Sequence, residues 1–92
     1  MTKPVIIRCA GGPVPGLEGK YLKAYDLEAR EGRGDTTWTR DRREALVFAS
    51  MMTAFETWRA QSVTVPLRDD DRPNRPLTAY SVKFEDAPHD RD

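Results

Sequence analysis

The sequence predicts an α+β fold: a small antiparallel β-sheet of three to five strands, one main α-helix packed across it, and a short additional helix. Several short segments alternate apolar and polar residues with the period of a half-buried strand, and one segment repeats its apolar residues at helical spacing. Stretches rich in Gly and Pro separate these segments. At 92 residues the chain is long enough for one domain, which we place at residues 1–85, followed by a flexible acidic tail at 86–92.

The N-terminal half of the chain contains three predicted strands. Residues 3–9 alternate in polarity and are rich in β-branched side chains, which favour strands. Residues 10–16 contain three Gly and two Pro, which neither a strand nor a helix accommodates. The second strand is predicted at residues 20–26 and the third at residues 36–39, centred on Trp38, so that the two form a hairpin with a long tip.

Two helices are predicted in the middle of the chain. Asp41 and Glu44 have the spacing of a capping box, which starts a short helix through Leu46. Ser50 is a favoured N-cap for the main helix, predicted over residues 51–61. Apolar residues recur there at i, i+3, i+4 and i+7, which gives the helix one apolar face about two turns long. These residues are Met51, Ala54, Phe55 and Trp58.

The C-terminal part of the chain alternates between strand and turn patterns. Residues 63–67 predict a brief edge strand, because Pro66 cannot donate a ladder hydrogen bond. Residues 68–76 form a turn-rich loop, and residues 77–85 form the last strand. The predicted core consists of Val5, Ile7, Leu22, Trp38, Phe48, Met51, Phe55, Trp58, Tyr80, Val82 and Phe84.

Composition and cysteine content narrow the class of protein. Apolar residues make up 38% of the chain and charged residues 33%, which is typical of a globular protein. Cys9 is the only cysteine, so we expect a small buried hydrophobe and neither an internal disulfide nor a thiolate metal cluster. No apolar run approaches the roughly 20 residues of a membrane span, and the N-terminus has no signal-peptide pattern. We therefore predict a cytoplasmic protein that binds no membrane.

Charge is balanced over the whole chain but unevenly distributed. Residues 85–92 contain four acidic residues and one arginine, a net charge of −3, so the rest of the chain carries about +3. A weakly basic body is compatible with a polyanionic partner, although a solvated surface of mixed sign explains the same balance.

Catalysis is not predicted. The only histidine, His89, lies in the predicted tail, where nothing would hold it within reach of a proton. The serines have no visible base partner. Asp69, Asp70 and Asp71 are consecutive, whereas a calcium loop alternates its ligands and needs a glycine. We therefore expect no cofactor and no metal, and an enzyme of unknown type is our third hypothesis.

One predicted strand suggests a nucleic-acid interface. Tyr21, Lys23 and Tyr25 alternate along it, and an exposed face of this kind stacks bases on its rings and binds phosphates through its cation. Leu22 and Ala24 would then form a thin core face, so the alternative is that the tyrosines form the buried side. The cations that follow nearby in the sequence are Arg40, Arg42 and Arg43.

The loop at residues 68–76 is the predicted partner-binding site. Its two prolines restrict the chain, so that less conformational entropy is lost on binding. Arg68, Arg72 and Arg75 would then bind a carboxylate or phosphate of the partner. The alternative is that these arginines only pair with the neighbouring aspartates at the surface.

Several runs resemble small proteins of unknown function from bacteriophages and prophages. The resemblance extends over about residues 5–85 and carries no functional residue to this chain. It implies a phage or integrated element in a bacterial host; small phage proteins without catalytic groups often bind and block host machinery, as inhibitors of CRISPR complexes do. The runs are Tyr21-Leu-Lys-Ala-Tyr-Asp26, Gly32-Arg-Gly34, Thr37-Trp-Thr39, Ala45-Leu46, Phe48-Ala-Ser50, Trp58 and Pro73-Asn-Arg-Pro-Leu-Thr-Ala-Tyr80.

Two function hypotheses rank ahead of the enzyme. The first is a non-catalytic binding protein of phage type, whose target is a host or phage protein or a nucleoprotein complex in the bacterial cytoplasm. The second is a small protein that binds single-stranded nucleic acid through the face of Tyr21, Lys23 and Tyr25. Salt distinguishes them, because affinity for phosphates falls steeply as salt rises.

Overall fold

The computed structural model describes residues 3–88 and shows a small α+β fold with a four-stranded antiparallel sheet and one eight-residue helix, as predicted, besides a four-residue helical turn at Ala29–Gly32. The helix packs across the sheet and covers one of its faces. The elements are β1 (Val5–Gly11), β2 (Tyr21–Asp26), β3 (Asp35–Thr39), α1 (Met51–Trp58) and β4 (Ser81–Asp86).

The strand order is β3-β2-β1-β4, which makes the first strand of the chain central. β2 and β3 form the predicted hairpin, and β1 pairs with β4 along its whole length. β1 and β2 pair directly at Arg8 and Tyr21 and diverge beyond that point.

An extended segment at residues 46–48 fills the gap between β1 and β2. The Leu46 N–H donates to the Leu22 carbonyl on one side at 2.8 Å. Phe48 and Val5 exchange two backbone hydrogen bonds of 2.8 and 2.9 Å on the other side. The segment joins the two halves of the sheet through an antiparallel bridge between Val5 and Phe48, and it leads directly into α1.

Helix α1 begins as predicted but ends earlier. The Ser50 hydroxyl accepts the Thr53 N–H at 3.2 Å, which is the expected N-cap. The helix ends at Trp58 rather than at residue 61. Ala54 is completely buried against the sheet, and a side chain this small lets the helix approach β1 closely.

The predicted core is partly correct. Val5, Ile7, Leu22 and Phe48 are buried, and Trp38, Val82 and Phe84 pack against them while remaining partly exposed. The prediction of two core residues in the helix is wrong, since Met51 is 57% exposed and Phe55 is 38% exposed. The physical reason is that Ala54 forms the centre of the buried face, which rotates Met51 and Phe55 to the flank of the helix.

The predicted short helix is a 3-10 turn at Arg42–Glu44. The Asp41 side chain accepts the Arg43 N–H at 2.9 Å. The capping box does not close, because the Asp41 N–H donates to the Thr39 hydroxyl, which itself donates to the Glu44 carboxylate.

The predicted edge strand at residues 63–67 is wrong. The N–H groups of Val63 and Thr64 donate to the carboxylate of Glu28, and that of Val65 donates to a serine hydroxyl. Side chains therefore occupy the donors that a strand would need for its ladder.

The last strand is shorter than predicted. A 3-10 turn at Pro76–Ala79 precedes it, with a proline in the first turn and the Thr78 N–H bonded to the Arg75 carbonyl. At its other end, β4 extends to Asp86, one residue into the predicted tail. His89 and the three residues after it lie outside the described residues, whereas the Ala87 N–H donates to the Pro4 carbonyl at 3.0 Å.

Candidate binding surfaces

A row of four side chains crosses the sheet on the face opposite the helix. Partners in an antiparallel ladder place their side chains on the same face. Arg8 pairs with Tyr21 of β2 and with Lys83 of β4, and Tyr21 pairs with Thr39 of β3. Ile7, the neighbour of Arg8, belongs to the core beneath α1, so these four side chains point the other way. We call this side of the sheet the open face, and Thr39, Tyr21, Arg8 and Lys83 the transverse row.

A β-bulge in β2 places Tyr21 and Tyr25 on opposite faces. The register of β2 against β3 shifts around Lys23, which is left as the extra residue. Beyond the bulge Tyr25 pairs with Thr36, whose hydroxyl accepts a 2.8 Å hydrogen bond from Trp38 on the core side. The predicted face shared by Tyr21, Lys23 and Tyr25 is therefore not formed, and Tyr21 alone of the two tyrosines lies on the open face.

Glu85 positions two arginines on the open face. Arg8 Nη1 lies 3.1 Å from Glu85 Oε2, and Arg42 Nη2 lies 3.9 Å from Glu85 Oε1. Arg42 also donates to the Asp86 carbonyl at 2.7 Å. Its guanidinium carbon is 5.9 Å from the centre of the Tyr21 ring. The Arg42 side chain therefore reaches from β2 to β4 and crosses the central strand.

Positive charge exceeds negative charge around the transverse row. The cations there are Arg8, Arg42, Lys83 and the bulged Lys23, and the carboxylates are Glu85 and Glu44, whereas Asp26 and Asp35 lie on the same face at the far end of the β2–β3 hairpin. Lys23 pairs with Glu44 at 3.7 Å, and Glu85 is shared by the two arginines. Within residues 3–88 no carboxylate forms an ion pair with Lys83.

The remaining cations of the nucleic-acid hypothesis lie outside the transverse row. Arg40 and Arg43 are exposed on the segment that follows β3. The sequence analysis missed Arg8, Lys83 and Glu85, which come from strands far apart in the chain. Their charged side chains interrupt apolar alternation, which marks them as solvent-facing, but only the strand order brings them together.

A second surface is the exposed apolar flank of α1. Met51, Met52 and Phe55 are 57%, 65% and 38% exposed. Together with Phe84 of β4 they line a shallow groove of about 380 Å³. The Phe55 ring meets Phe84 edge-on at 6.3 Å and has the guanidinium of Arg59 over it at 5.6 Å. We call Met51, Met52, Phe55 and Phe84 the apolar patch.

The predicted arginine loop folds into a tight hairpin. The Arg68 N–H donates to the Arg72 carbonyl at 2.8 Å, and Asp71 at the tip has a φ of 65°. Arg72 is 3.7 Å from the Asp70 carboxylate, and its side chain is 80% exposed. This contact is the surface pairing with neighbouring aspartates that the sequence left open.

The three arginines of this loop have different environments. Arg68 lines a groove of about 540 Å³ together with Glu31, Arg33 and Asp69. Arg72 points into solvent. Arg75 is half-buried, and its carbonyl accepts two hydrogen bonds from Thr78.

The carboxylate of Glu28 joins the loop after β2 to the loop that follows α1. Its carboxylate accepts four hydrogen bonds: from the Ser62 hydroxyl at 2.5 Å, the Val63 N–H at 2.8 Å, and the N–H and hydroxyl of Thr64 at 3.0 and 2.5 Å. These donors, the Ser62 hydroxyl first, lower the pKa of Glu28 from 4.5 to about 2. The cluster is internally satisfied, so we assign it a structural role.

Catalytic and metal-binding groups are sparse in the described part of the chain. Residues 3–88 contain no group of three or more side chains suited to hold a metal ion. Cys9 is a buried free thiol, as expected. No helix in this range is long and apolar enough to cross a membrane.

Comparisons of the chain with protein-family models, with curated proteins and with solved structures found no match. The proposals that follow therefore depend on the chain's own residues.

Proposed function

We propose that this chain is a non-catalytic binding protein that docks on a partner protein through the apolar patch. The observation that carries the proposal is the exposure of Met51, Met52 and Phe55 on one helix, next to Phe84. Contiguous exposed apolar side chains of this kind mark interaction sites.

The chemistry of the patch suits a protein partner. Methionine is flexible and polarizable, so Met51 and Met52 can adapt to an apolar partner surface. Phe55 and Phe84 supply aromatic rings, which often anchor interfaces. Arg59 over the Phe55 ring adds a cation at the margin.

The size of the patch sets a limit on the partner. An eight-residue helix is only about 12 Å long, whereas a standard interface buries about 800 Å² on each partner. The patch therefore forms the centre of an interface whose rim extends beyond it. Lys3 and Asp86 flank Met51 and Met52, so the rim offers both signs of charge to a partner with an apolar centre.

The phage setting is part of this proposal, because the runs described above resemble small phage and prophage proteins. The target would be a host or phage protein, or a nucleoprotein complex, in the bacterial cytoplasm.

Site-directed photo-crosslinking tests the proposal. A photoreactive benzoylphenylalanine at Met52 should capture the partner in infected or lysogenic cells, and the purified partner is then titrated against defined variants. Met52→Glu should weaken binding at least about tenfold with a nearly unchanged melting temperature, because Met52 is 65% exposed. The matched control is Arg72→Ala combined with Arg75→Ala, which should bind like the parent.

Two results would overturn the proposal. Loss of binding in the arginine double variant, with parental binding by Met52→Glu, would move the interface to the predicted arginine loop. A homodimer detected by sedimentation and dissolved by Met52→Glu would make a second copy of the chain the occupant of the patch.

A further inference from the structure

We infer that the open face of the sheet is a binding site for single-stranded nucleic acid, centred on Tyr21 and the two arginines held by Glu85. This site lies on the opposite side of the sheet from the apolar patch and does not depend on the protein-binding proposal.

Charge complementarity is the first argument. Four cations surround the transverse row with two carboxylates, a local excess of two positive charges, although the whole chain is neutral and Asp26 and Asp35 lie at the far end of the β2–β3 hairpin. Lys83 ends the transverse row with no carboxylate of its own among residues 3–88. A phosphate backbone laid along the row would meet Arg8 and Lys83 in succession, and each contact would release counterions.

The ring of Tyr21 is the second argument. It lies between Thr39 and Arg8 in the row, where an acidic peptide would gain nothing from an aromatic ring. A nucleobase gains stacking on the ring, and arginine planes also stack on bases. The Arg42 guanidinium carbon is 5.9 Å from the centre of the ring, wider than a direct contact of about 3.5–4 Å.

Preorganisation is the third argument. Glu85 holds Arg8 and Arg42, and the Asp86 carbonyl fixes Arg42 a second time. Arg42 crosses β1 near Ile6, the ladder partner of Glu85. Ile6 is completely buried, although its side chain lies on the open face. The two guanidinium groups are therefore fixed before a ligand arrives, which lowers the entropy lost on binding.

The dimensions of the row favour a single strand of few nucleotides. Neighbouring strands are about 4.8 Å apart, so Tyr21 and Lys83, which flank the central strand, are separated by about 10 Å. This span fits about two or three phosphates, and Tyr21 is accessible only to a base that is not paired inside a duplex. With three phosphate contacts, the logarithm of the affinity should fall with the logarithm of the salt concentration with a slope of about −2.

Fluorescence anisotropy with labelled oligothymidylate and oligouridylate, each of about twelve nucleotides, tests the inference. The parent should bind at about 50 mM salt and lose affinity by about 200 mM. Tyr21→Ala should weaken binding at least about fivefold, and Tyr21→Phe should retain it because the ring remains. Tyr25→Ala is the matched control, since Tyr25 lies on the other face of the same strand and should leave affinity unchanged.

A second pair of variants tests the contribution of positive charge to the affinity. Lys83→Gln should make the salt slope shallower by about 0.7, whereas Arg72→Gln, on the exposed hairpin, should leave the slope unchanged. Met52→Glu should also bind oligonucleotide like the parent, so failure of this inference and failure of the protein-binding proposal are distinguishable. Melting curves confirm that each variant is folded.

Three results would overturn the inference. The first is no binding of either oligonucleotide by the parent at low salt. The second is equal weakening by Tyr21→Ala and Tyr25→Ala in folded variants. The third is that an acidic polyglutamate peptide competes with the oligonucleotide while Tyr21→Ala leaves the affinity unchanged. This result would assign the face to an acidic protein segment. A preference for either of the two oligonucleotides supports the site.

Discussion

Replacing Trp58 by alanine tests how α1 is held on the sheet. The Trp58 ring is half-buried and packs on Phe55 at 5.9 Å, and its indole N–H donates to the Tyr80 carbonyl at 3.1 Å. A fully buried Trp→Ala change costs about 3–5 kcal/mol, and half-burial reduces this packing contribution to about 2–3 kcal/mol. The lost hydrogen bond adds about 1 kcal/mol, so the free energy of unfolding should fall by about 3–4 kcal/mol.

Thermal unfolding followed by circular dichroism measures this loss. In a domain of this size 1 kcal/mol corresponds to about 4–8 °C, so Trp58→Ala should lower the melting temperature by about 12 °C or more. Met52→Ala is the control in the same helix, and at 65% exposure it should cost less than about 0.5 kcal/mol. If the two variants melted together, the docking of α1 through Trp58 would be refuted.

Two further predictions concern the loops. Gly34 and Gly16 both have positive φ, of 85° and 87°, but an added Cβ at Gly34 would lie 2.5 Å from Pro76 Cβ, whereas at Gly16 it would meet open space. Gly34→Ala should therefore lower the urea midpoint of unfolding clearly more than Gly16→Ala does. Equal losses would contradict the packing of Pro76 on this turn. The pKa of Glu28 is lowered from 4.5 to about 2, so the stability it contributes is present above about pH 4.5 and is lost as the pH falls toward 2. The difference in urea midpoint between the parent and Glu28→Gln should therefore close over that range, and a difference independent of pH would show that the carboxylate hydrogen bonds do not form.

The sequence predicted the elements better than their relative placement. Alternation in residues 3–9 and 20–26 identified β1 and β2, because side-chain period is a local property of the chain. The bulge at Lys23 is not local, since it arises from pairing with β3. One inserted residue reverses the face of every side chain beyond it, and for this reason the predicted tyrosine face could not be correct.

The helix shows a similar limit. Apolar spacing predicted α1 and its N-cap at Ser50, both of which the structure contains. It could not decide which part of the apolar stripe faces the sheet, because Ala54 is small and its neighbours in the stripe are large. The helix is placed by how closely it can approach β1, which favours Ala54 at the contact and leaves Met51 and Phe55 at its flank.

The contacts that join the loops have no sequence signal at all. Glu28 is 34 residues from Ser62 in the chain, yet its carboxylate accepts the Ser62 hydroxyl. No pattern of period two or 3.6 relates two such positions. This pairing also explains why residues 63–67 have strand-like composition but no strand, since their donors are used by a side chain that comes from another loop.

The two-layer architecture determines where the two proposed binding sites lie relative to each other. The molecule measures 46 × 32 × 17 Å, and its shortest dimension accommodates one sheet and one helix of about 10 Å in diameter. A pocket that encloses a substrate needs walls on several sides, and such pockets form between layers or domains. Here the single interlayer space is filled by the core around Ile7, Leu22 and Ala54. The open face of the sheet and the flank of the helix lie on opposite sides of these two layers, so the two proposed binding sites would not obstruct one another.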